Sequence, residues 1–203
     1  MRSSASRGQS LVEFALVVPI VFLLLVGIAD LGRVFIAGVV LETAARDAAE
    51  KGAQEYVANP PAPLNAPAPP GSGSYYGPLD ATVAMTACQE SADLPNTDVD
   101  PTDKKCKTWP VIRICVHDGQ DVQCGQPVSG FANSIPAECA DMNSAWSNSQ
   151  GGSTERWVEV RLCYKFTSIL STDLFHLGDI YLERRRQFVI PCYFQLGSAA
   201  PCG

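Results

Sequence analysis

The feature that most constrains the fold is an apolar run near the N-terminus, from Leu11 to Leu31, with one carboxylate close to its start. A helix of about 20 apolar residues is long enough to cross the hydrocarbon core of a bilayer. Glu13 lies inside this run, and a charged side chain in a membrane segment is costly unless it has a partner or a function. The run is therefore predicted to be a membrane helix whose carboxylate has a specific role.

The residues around the run indicate its orientation and shape. Arg2 and Arg7 precede it. Because positively charged flanks remain in the cytoplasm, the N-terminus is predicted to lie inside and the remainder of the chain outside. Pro19 lies within the run, where it removes one backbone hydrogen bond, and membrane helices tolerate such a residue. Pro19 is therefore predicted to shape the helix without ending it.

The helical pattern continues past the apolar run. Small residues recur at helical spacing at Ala45, Ala48, Ala49 and Ala53. They form a narrow small-residue stripe along one face of a helix. One helix is therefore predicted over residues 9–58, with a membrane span at about 11–31 and an amphipathic rear part that ends before Pro60.

The remaining chain is predicted to form an α+β arrangement outside the membrane. Residues 1–8 form a leader, residues 59–78 a Pro- and Gly-rich linker, and residues 79–203 a small β-containing, disulfide-rich extracytoplasmic domain. Within that domain the pattern predicts a short helix at 79–91, a helix or irregular loop at 132–146, and strands at 111–116, 122–128, 156–166 and 180–191. The strand at 156–166 alternates strictly, which indicates one buried and one solvated face.

All eight cysteines follow the apolar run: Cys88, Cys106, Cys115, Cys124, Cys139, Cys163, Cys192 and Cys202. An even number outside the membrane predicts a disulfide framework in an oxidising compartment, although the sequence does not fix its connectivity. No C-x-x-C pair is present and only two histidines occur, so metal binding or reactive thiols are the less favoured alternative.

A second candidate for metal binding is the acidic segment at 96–103. Its first residues carry the oxygen spacing of a calcium loop, but Pro101 and Lys107 occupy the positions where an EF-hand has glycine and glutamate. This excludes an EF-hand and favours a solvated acidic loop, with an irregular calcium site as the alternative. No metal or cofactor is assigned.

The remaining chemistry argues against an enzyme or a nucleic-acid-binding protein. The net charge is −6, and the short basic run at 184–186 is interpreted as an exposed strand face. No phosphate-binding Gly-rich loop, nucleophile elbow or paired-histidine helix is present.

The residues from Gly8 to Glu13, the run at 10–19, the GIADLGR sequence at 27–33 and the AARDAA sequence at 44–49 carry a resemblance to a known family. They resemble the TadE-like pseudopilins of tight adherence (Flp) pili, within the type IV pilin superfamily. The late strand at 158–166 is also similar to that family's C-terminal region. The resemblance implies that a prepilin peptidase cuts after Gly8, so that Gln9 becomes the first residue and Glu13 the fifth.

The resemblance further implies a minor pilin or pseudopilin that does no chemistry itself. Its site residues would be Gly8 for processing, Gln9 and Glu13 for recognition and assembly, and Pro19 for helix geometry. The implied partners are a prepilin peptidase, other pilins, the assembly platform with its motor ATPase, and the membrane. The chain would be a single-pass protein of the cytoplasmic membrane with its C-terminal domain extracytoplasmic, or a subunit of an extracellular pilus, and its position in the pilus stays open.

Three less specific readings of the same segment stay open. Gly27 to Ala29 offers a small-x-small signal-peptide cleavage site before Asp30. Alternatively, the helix is a plain anchor whose Glu13 lies near the cytoplasmic interface. The third reading is a passive tether for an extracytoplasmic binding or adhesion domain.

Overall fold

The computed structural model describes residues 6–58, 77–117, 122–125, 136–143, 156–169 and 179–190. In chain order the elements are α1 (Ser6–Ala58), α2 (Gly77–Glu90), β1 (Val111–His117), β2 (Val122–Cys124), a short 3-10 helix (Ala137–Asn143), β3 (Trp157–Phe166) and β4 (Ile180–Val189). A long apolar N-terminal helix, a sheet and disulfides confirm the α+β class.

Helix α1 continues through Pro19 and changes character along its length. Residues 10–29 are exposed or half-exposed on every side of the helix. From Asp30 onward, one face is buried against the rest of the protein. Ser6 to Gly8, which the sequence assigned to the leader, already belong to the first turn of the helix.

The strands form one antiparallel sheet in the order β2-β1-β3-β4. Strand β3 is an inner strand, pairing with β1 from Trp157↔His117 to Cys163↔Val111 and with β4 along its full length. The predicted strands at 111–116, 156–166 and 180–191 and the predicted helix at 79–91 are confirmed to within about two residues at each end. Of the predicted strand at 122–128, residues 122–124 are strand and 126–128 lie outside the described residues.

One face of the sheet packs against α1 and α2. The strand residues on this face are apolar: Ile112, Ile114, Val116, Val158, Val160, Leu162, Tyr164 and Phe166. The facing stripe on α1 is fully buried at Ala44, Ala45, Ala48, Ala49 and Ala53, which confirms the small-residue stripe. Because these side chains are short, the helix axis lies close to the sheet.

The second face of β3 differs from the prediction of a solvated face. Glu159 is 1% exposed and Arg161 is 3% exposed. The cause is the 3-10 helix, whose Met142 carbonyl accepts hydrogen bonds from Arg161 Nη1 at 3.0 Å and from Arg113 Nη1 at 2.7 Å. Arg161 also pairs with Glu159, so these buried charges are compensated within the protein instead of by water.

Three disulfides fasten the described elements to one another. Cys88–Cys106 joins the end of α2 to the following loop, Cys115–Cys124 joins β1 to β2, and Cys139–Cys163 joins the 3-10 helix to β3. The predicted framework is therefore present for six of the cysteines. Cys192 and Cys202 lie outside the described residues, as does the Pro-rich stretch at 59–76.

Candidate functional site

The free part of α1, residues 10–29, is the candidate functional surface. Its large apolar side chains are more than 40% exposed: Leu11, Val12, Phe14, Leu16, Val17, Val18, Ile20, Val21, Phe22, Leu23, Leu24, Leu25 and Ile28. By length and composition, α1 is the one helix among the described residues that could cross a membrane. An apolar surface of this extent marks contact with a membrane or with other apolar helices.

The residues predicted for processing and assembly lie together at the start of this surface. Gly8 and Gln9 are in the first turn of α1, and Glu13 follows four residues after Gln9, about 6 Å along the axis. The side chain of Glu13 is exposed on the helix surface. Pro19 lies further along the same free part. Their closeness follows from helix geometry alone, since no other described element packs against residues 10–24.

The free part ends at a polar contact that the sequence did not single out. Asp30 is 7% exposed, and its carboxylate accepts hydrogen bonds from Arg33 Nη1 at 3.0 Å, from the Ile169 backbone N–H at 3.0 Å and from the Ser168 hydroxyl. We call Asp30, Arg33, Ser168 and Ile169 the Asp30 clamp. Its sequence signal was a carboxylate at the end of the apolar run with arginine three residues later.

Neighbouring groups hold the clamp in place from the sheet side. The Asn96 side-chain amide donates to the Lys165 carbonyl at 2.8 Å and to Thr167 Oγ1 at 3.0 Å, which fixes the chain just before Ser168. The guanidinium of Arg33 lies 5.2 Å from the centre of the Phe166 ring, a cation–π contact. The partners of Asp30 therefore belong to an ordered end of β3.

Further along α1, Glu42 forms the second polar link to the sheet. Its carboxylate pairs with Arg186 and lies 3.9 Å from Arg184. The expectation that residues 184–186 form an exposed strand face holds for Arg185 and Arg186, while Arg184 is half-buried, and both Arg184 and Arg186 reach Glu42 on α1. Alternate strand residues point to opposite faces, so these two reach α1, while Arg185 remains 60% exposed on the other side, 3.9 Å from Glu159.

The acidic loop forms contacts of its own. Asp100 accepts from the Thr102 N–H at 2.7 Å and lies 3.5 Å from Lys107 Nζ. The backbone hydrogen bond from Thr102, helped by the charge of Lys107, lowers the pKa of the Asp100 carboxyl. The Asn96 side-chain amide already donates hydrogen bonds to residues 165 and 167. This arrangement favours the solvated acidic loop over an irregular calcium site.

One group of possible metal ligands occurs among the described residues: Cys139, Cys163 and Glu183. The two cysteines are joined in a disulfide, so they offer no thiolate to a metal ion. The group is therefore explained by the disulfide framework.

Residues 8–50 match the family model described as TadE-like protein. The match begins at Gly8, covers the free part of α1, and includes Asp30, Arg33 and Glu42. It confirms the resemblance over this segment, which is about a fifth of the chain. No curated protein and no solved structure matches the chain.

Proposed function

We propose that this chain is a TadE-like minor pilin or pseudopilin that assembles through the free part of α1. It is inserted with its N-terminus in the cytoplasm and its C-terminal domain outside, and a prepilin peptidase removes residues 1–8. It then joins other pilins, an assembly platform and a motor ATPase, into or onto a tight adherence pilus. It does no chemistry of its own.

One observation carries the proposal: a carboxylate at Glu13 stands on an otherwise apolar, fully exposed helix inside a segment that matches TadE-like proteins. An ordinary anchor needs only apolarity over about 20 residues. A charge inside that length favours a specific partner, because leaving it unpaired in hydrocarbon is costly.

Cleavage after Gly8 supplies such a partner. It creates a positively charged α-amino group on Gln9, about 6 Å along the helix axis from Glu13. In a bundle of helices staggered by about that distance, the amine of one subunit lies beside Glu13 of the next. In low dielectric the charge match would fix the stagger, while small residues at Ala15, Gly27 and Ala29 allow close helix packing.

The mature N-terminus tests the processing step directly. Mass and N-terminal sequence of the chain recovered from its membrane should begin at Gln9. A chain beginning at Asp30 would show signal-peptide cleavage, and an intact Met1 would show a plain anchor. Either result would overturn the proposed processing.

Replacing the carboxylate tests the assembly step. In Glu13→Ala we expect pilus assembly, measured by counting pili or by co-purification with other pilins, to fall at least tenfold. Export and disulfide formation should be unchanged, since Glu13 lies on the exposed part of α1, well before the helix reaches the sheet at Asp30. Glu13→Asp keeps the charge and should retain much more activity.

A matched control is Glu42→Ala, which removes a carboxylate from the same helix outside the free part. It should assemble far better than Glu13→Ala. Normal assembly by Glu13→Ala would favour the passive tether of a binding domain instead.

A further inference from the structure

The Asp30 clamp lies at the boundary between the free and packed parts of α1. Before it, none of residues 10–29 is fully buried; after it, Val34 is half-buried against the core and the next fully buried apolar residue is Ala37. The clamp joins positions 138 and 139 residues apart in the chain. It is therefore the contact nearest the membrane that ties the helix to the sheet.

The alanine stripe of α1 does little by itself to specify the axial position of the helix. Moving the helix by four residues would place Ala49 where Ala45 lies, Ala53 where Ala49 lies, and Ala48 where Ala44 lies. The displacement is about 6 Å, close to one helical turn. The same displacement would bring Tyr56 to the place of Gly52, where even a Cβ would lie 2.8 Å from Val83, so Gly52 and not the stripe sets the position of the packed part. That contact lies far from Asp30, where the packed part begins.

The clamp is directional in a way the alanine stripe is not. Two donors reach Asp30 from the end of β3, and a third comes from Arg33 on α1 itself, so a displacement of a few ångströms breaks the contacts with the sheet. The Arg33 guanidinium also compensates the carboxylate charge at 3.0 Å. A compensated, hydrogen-bonded pair can lie near hydrocarbon at modest cost.

We propose that Asp30 is a positioning residue, which holds the start of the packed part of α1 against the end of β3 and thereby fixes the direction in which the free part, with Glu13, leaves the outer domain. Without it, the first side chain of α1 packed against the core is the half-buried Val34, so about four residues, or 6 Å, are added to the free part. The consequence for assembly rests on the proposed function, in which neighbouring helices have a fixed stagger. That stagger aligns the outer domains with one another only if each helix is held rigidly on its own outer domain.

The first test measures the clamp itself in the full-length chain in detergent or nanodiscs. In Asp30→Ala, hydrogen exchange of the Ile169 amide, followed by NMR, should be at least tenfold faster. Spin labels on unnatural side chains at the exposed Ile36 and Ile180 should give a broadened distance distribution. Amides of the central sheet should stay protected and the disulfides oxidised.

Lys165→Ala is the matched control, because it removes the Lys165–Asp179 pair at the same end of the sheet without touching α1. It should leave Ile169 exchange and the label distance unchanged. Ser168→Ala removes one donor and should raise Ile169 exchange about two- to threefold, which provides a second variant if Asp30→Ala fails to fold. Unchanged Ile169 exchange, or lost protection throughout the sheet, would overturn the positioning role.

The second test measures assembly by the same variants in cells. Asp30→Ala should be processed to Gln9 and reach normal membrane levels, yet assemble several-fold less than Lys165→Ala. Assembly equal to wild type despite a released clamp would overturn the proposal. Normal assembly by Glu13→Ala would instead refute the proposed function. The hydrogen-exchange and spin-label measurements would still test whether Asp30 positions α1.

Discussion

At the scale of single residues, Asp80 is the buried carboxyl that the proposed assembly does not use. It is 5% exposed in the first turn of α2, and its Oδ2 has no hydrogen-bond partner in the part of the chain that the structure describes. Burial raises the pKa of Asp80 from 3.8 to about 7. The folded state therefore holds a proton that the unfolded chain releases above about pH 4.

This predicts a pH dependence of stability with a defined sign. Because the folded pKa is raised, the contribution of Asp80 to stability is greatest below about pH 4 and is lost as pH rises through about 7. The slope should approach 1.4 kcal/mol per pH unit between about pH 5 and 6.5. Urea unfolding in detergent should show this slope in wild type and lose it in Asp80→Asn. The exposed Asp93→Asn is the control and should keep the slope.

The role of a single residue could be predicted from the sequence only where the residue it acts with is close to it along the chain. Glu13 and Gly8 are a few residues apart, so their relation was visible. The partners of Asp30 are Ser168 and Ile169, and nothing local to Asp30 indicates them. The role of Asp30 therefore required the fold.

At the scale of elements, the contact of α1 with α2 and β3 depends on one glycine. A Cβ at Gly52 would lie 2.8 Å from Val83 Cγ2 and 2.9 Å from Val158 Cγ1. Two β-branched side chains in a packed core cannot both move away, so Gly52→Ala should destabilise the protein by about 1–3 kcal/mol despite the helix propensity of alanine.

Thermal or urea unfolding measures this effect. Gly32→Ala is the matched control, since nothing lies within 4 Å of a Cβ at that position on the same helix. It should be neutral or slightly stabilising. The double change Gly52→Ala with Val83→Ala should cost less than the sum of its parts. Equal stability of Gly52→Ala and Gly32→Ala would contradict the close approach.

Element types were predictable where periodicity was strong. The length of α1, its alanine stripe and the three longer strands followed from spacing. The burial of both faces of β3 could not be predicted from spacing, because a strand with one solvated face shows the same alternation of charged residues, such as Glu159 and Arg161, with apolar ones. The 3-10 helix that covers them has no periodic signal, and its carbonyl at Met142 is invisible in a side-chain pattern.

At the scale of the whole molecule, the sheet and its helices are independent of the free part of α1. Residues 10–29 contribute no fully buried side chain to the core. A chain beginning at residue 29 keeps Asp30 and every core residue. We expect it to fold, to remain in solution without detergent and to form the Cys88–Cys106, Cys115–Cys124 and Cys139–Cys163 disulfides.

Mass spectrometry of disulfide-linked peptides and comparison of unfolding curves with the full chain check this expectation. Reduction of the truncated chain should lower its stability by several kcal/mol, since each disulfide contributes about 2–4 kcal/mol. Aggregation of the oxidised truncated chain would show that the apolar helix is part of the folding unit.

The geometry of the Asp30 clamp also gives it mechanical leverage. Seventeen residues separate Glu13 from Asp30, so the two ends of this rod are about 25 Å apart. With Asp30 as the pivot, a tilt of about 10° would sweep Glu13 sideways by about 4 Å, more than the length of a hydrogen bond. The stiffness of two hydrogen bonds at the end of β3 thus limits how precisely the lateral position of Glu13 is fixed relative to the outer domain.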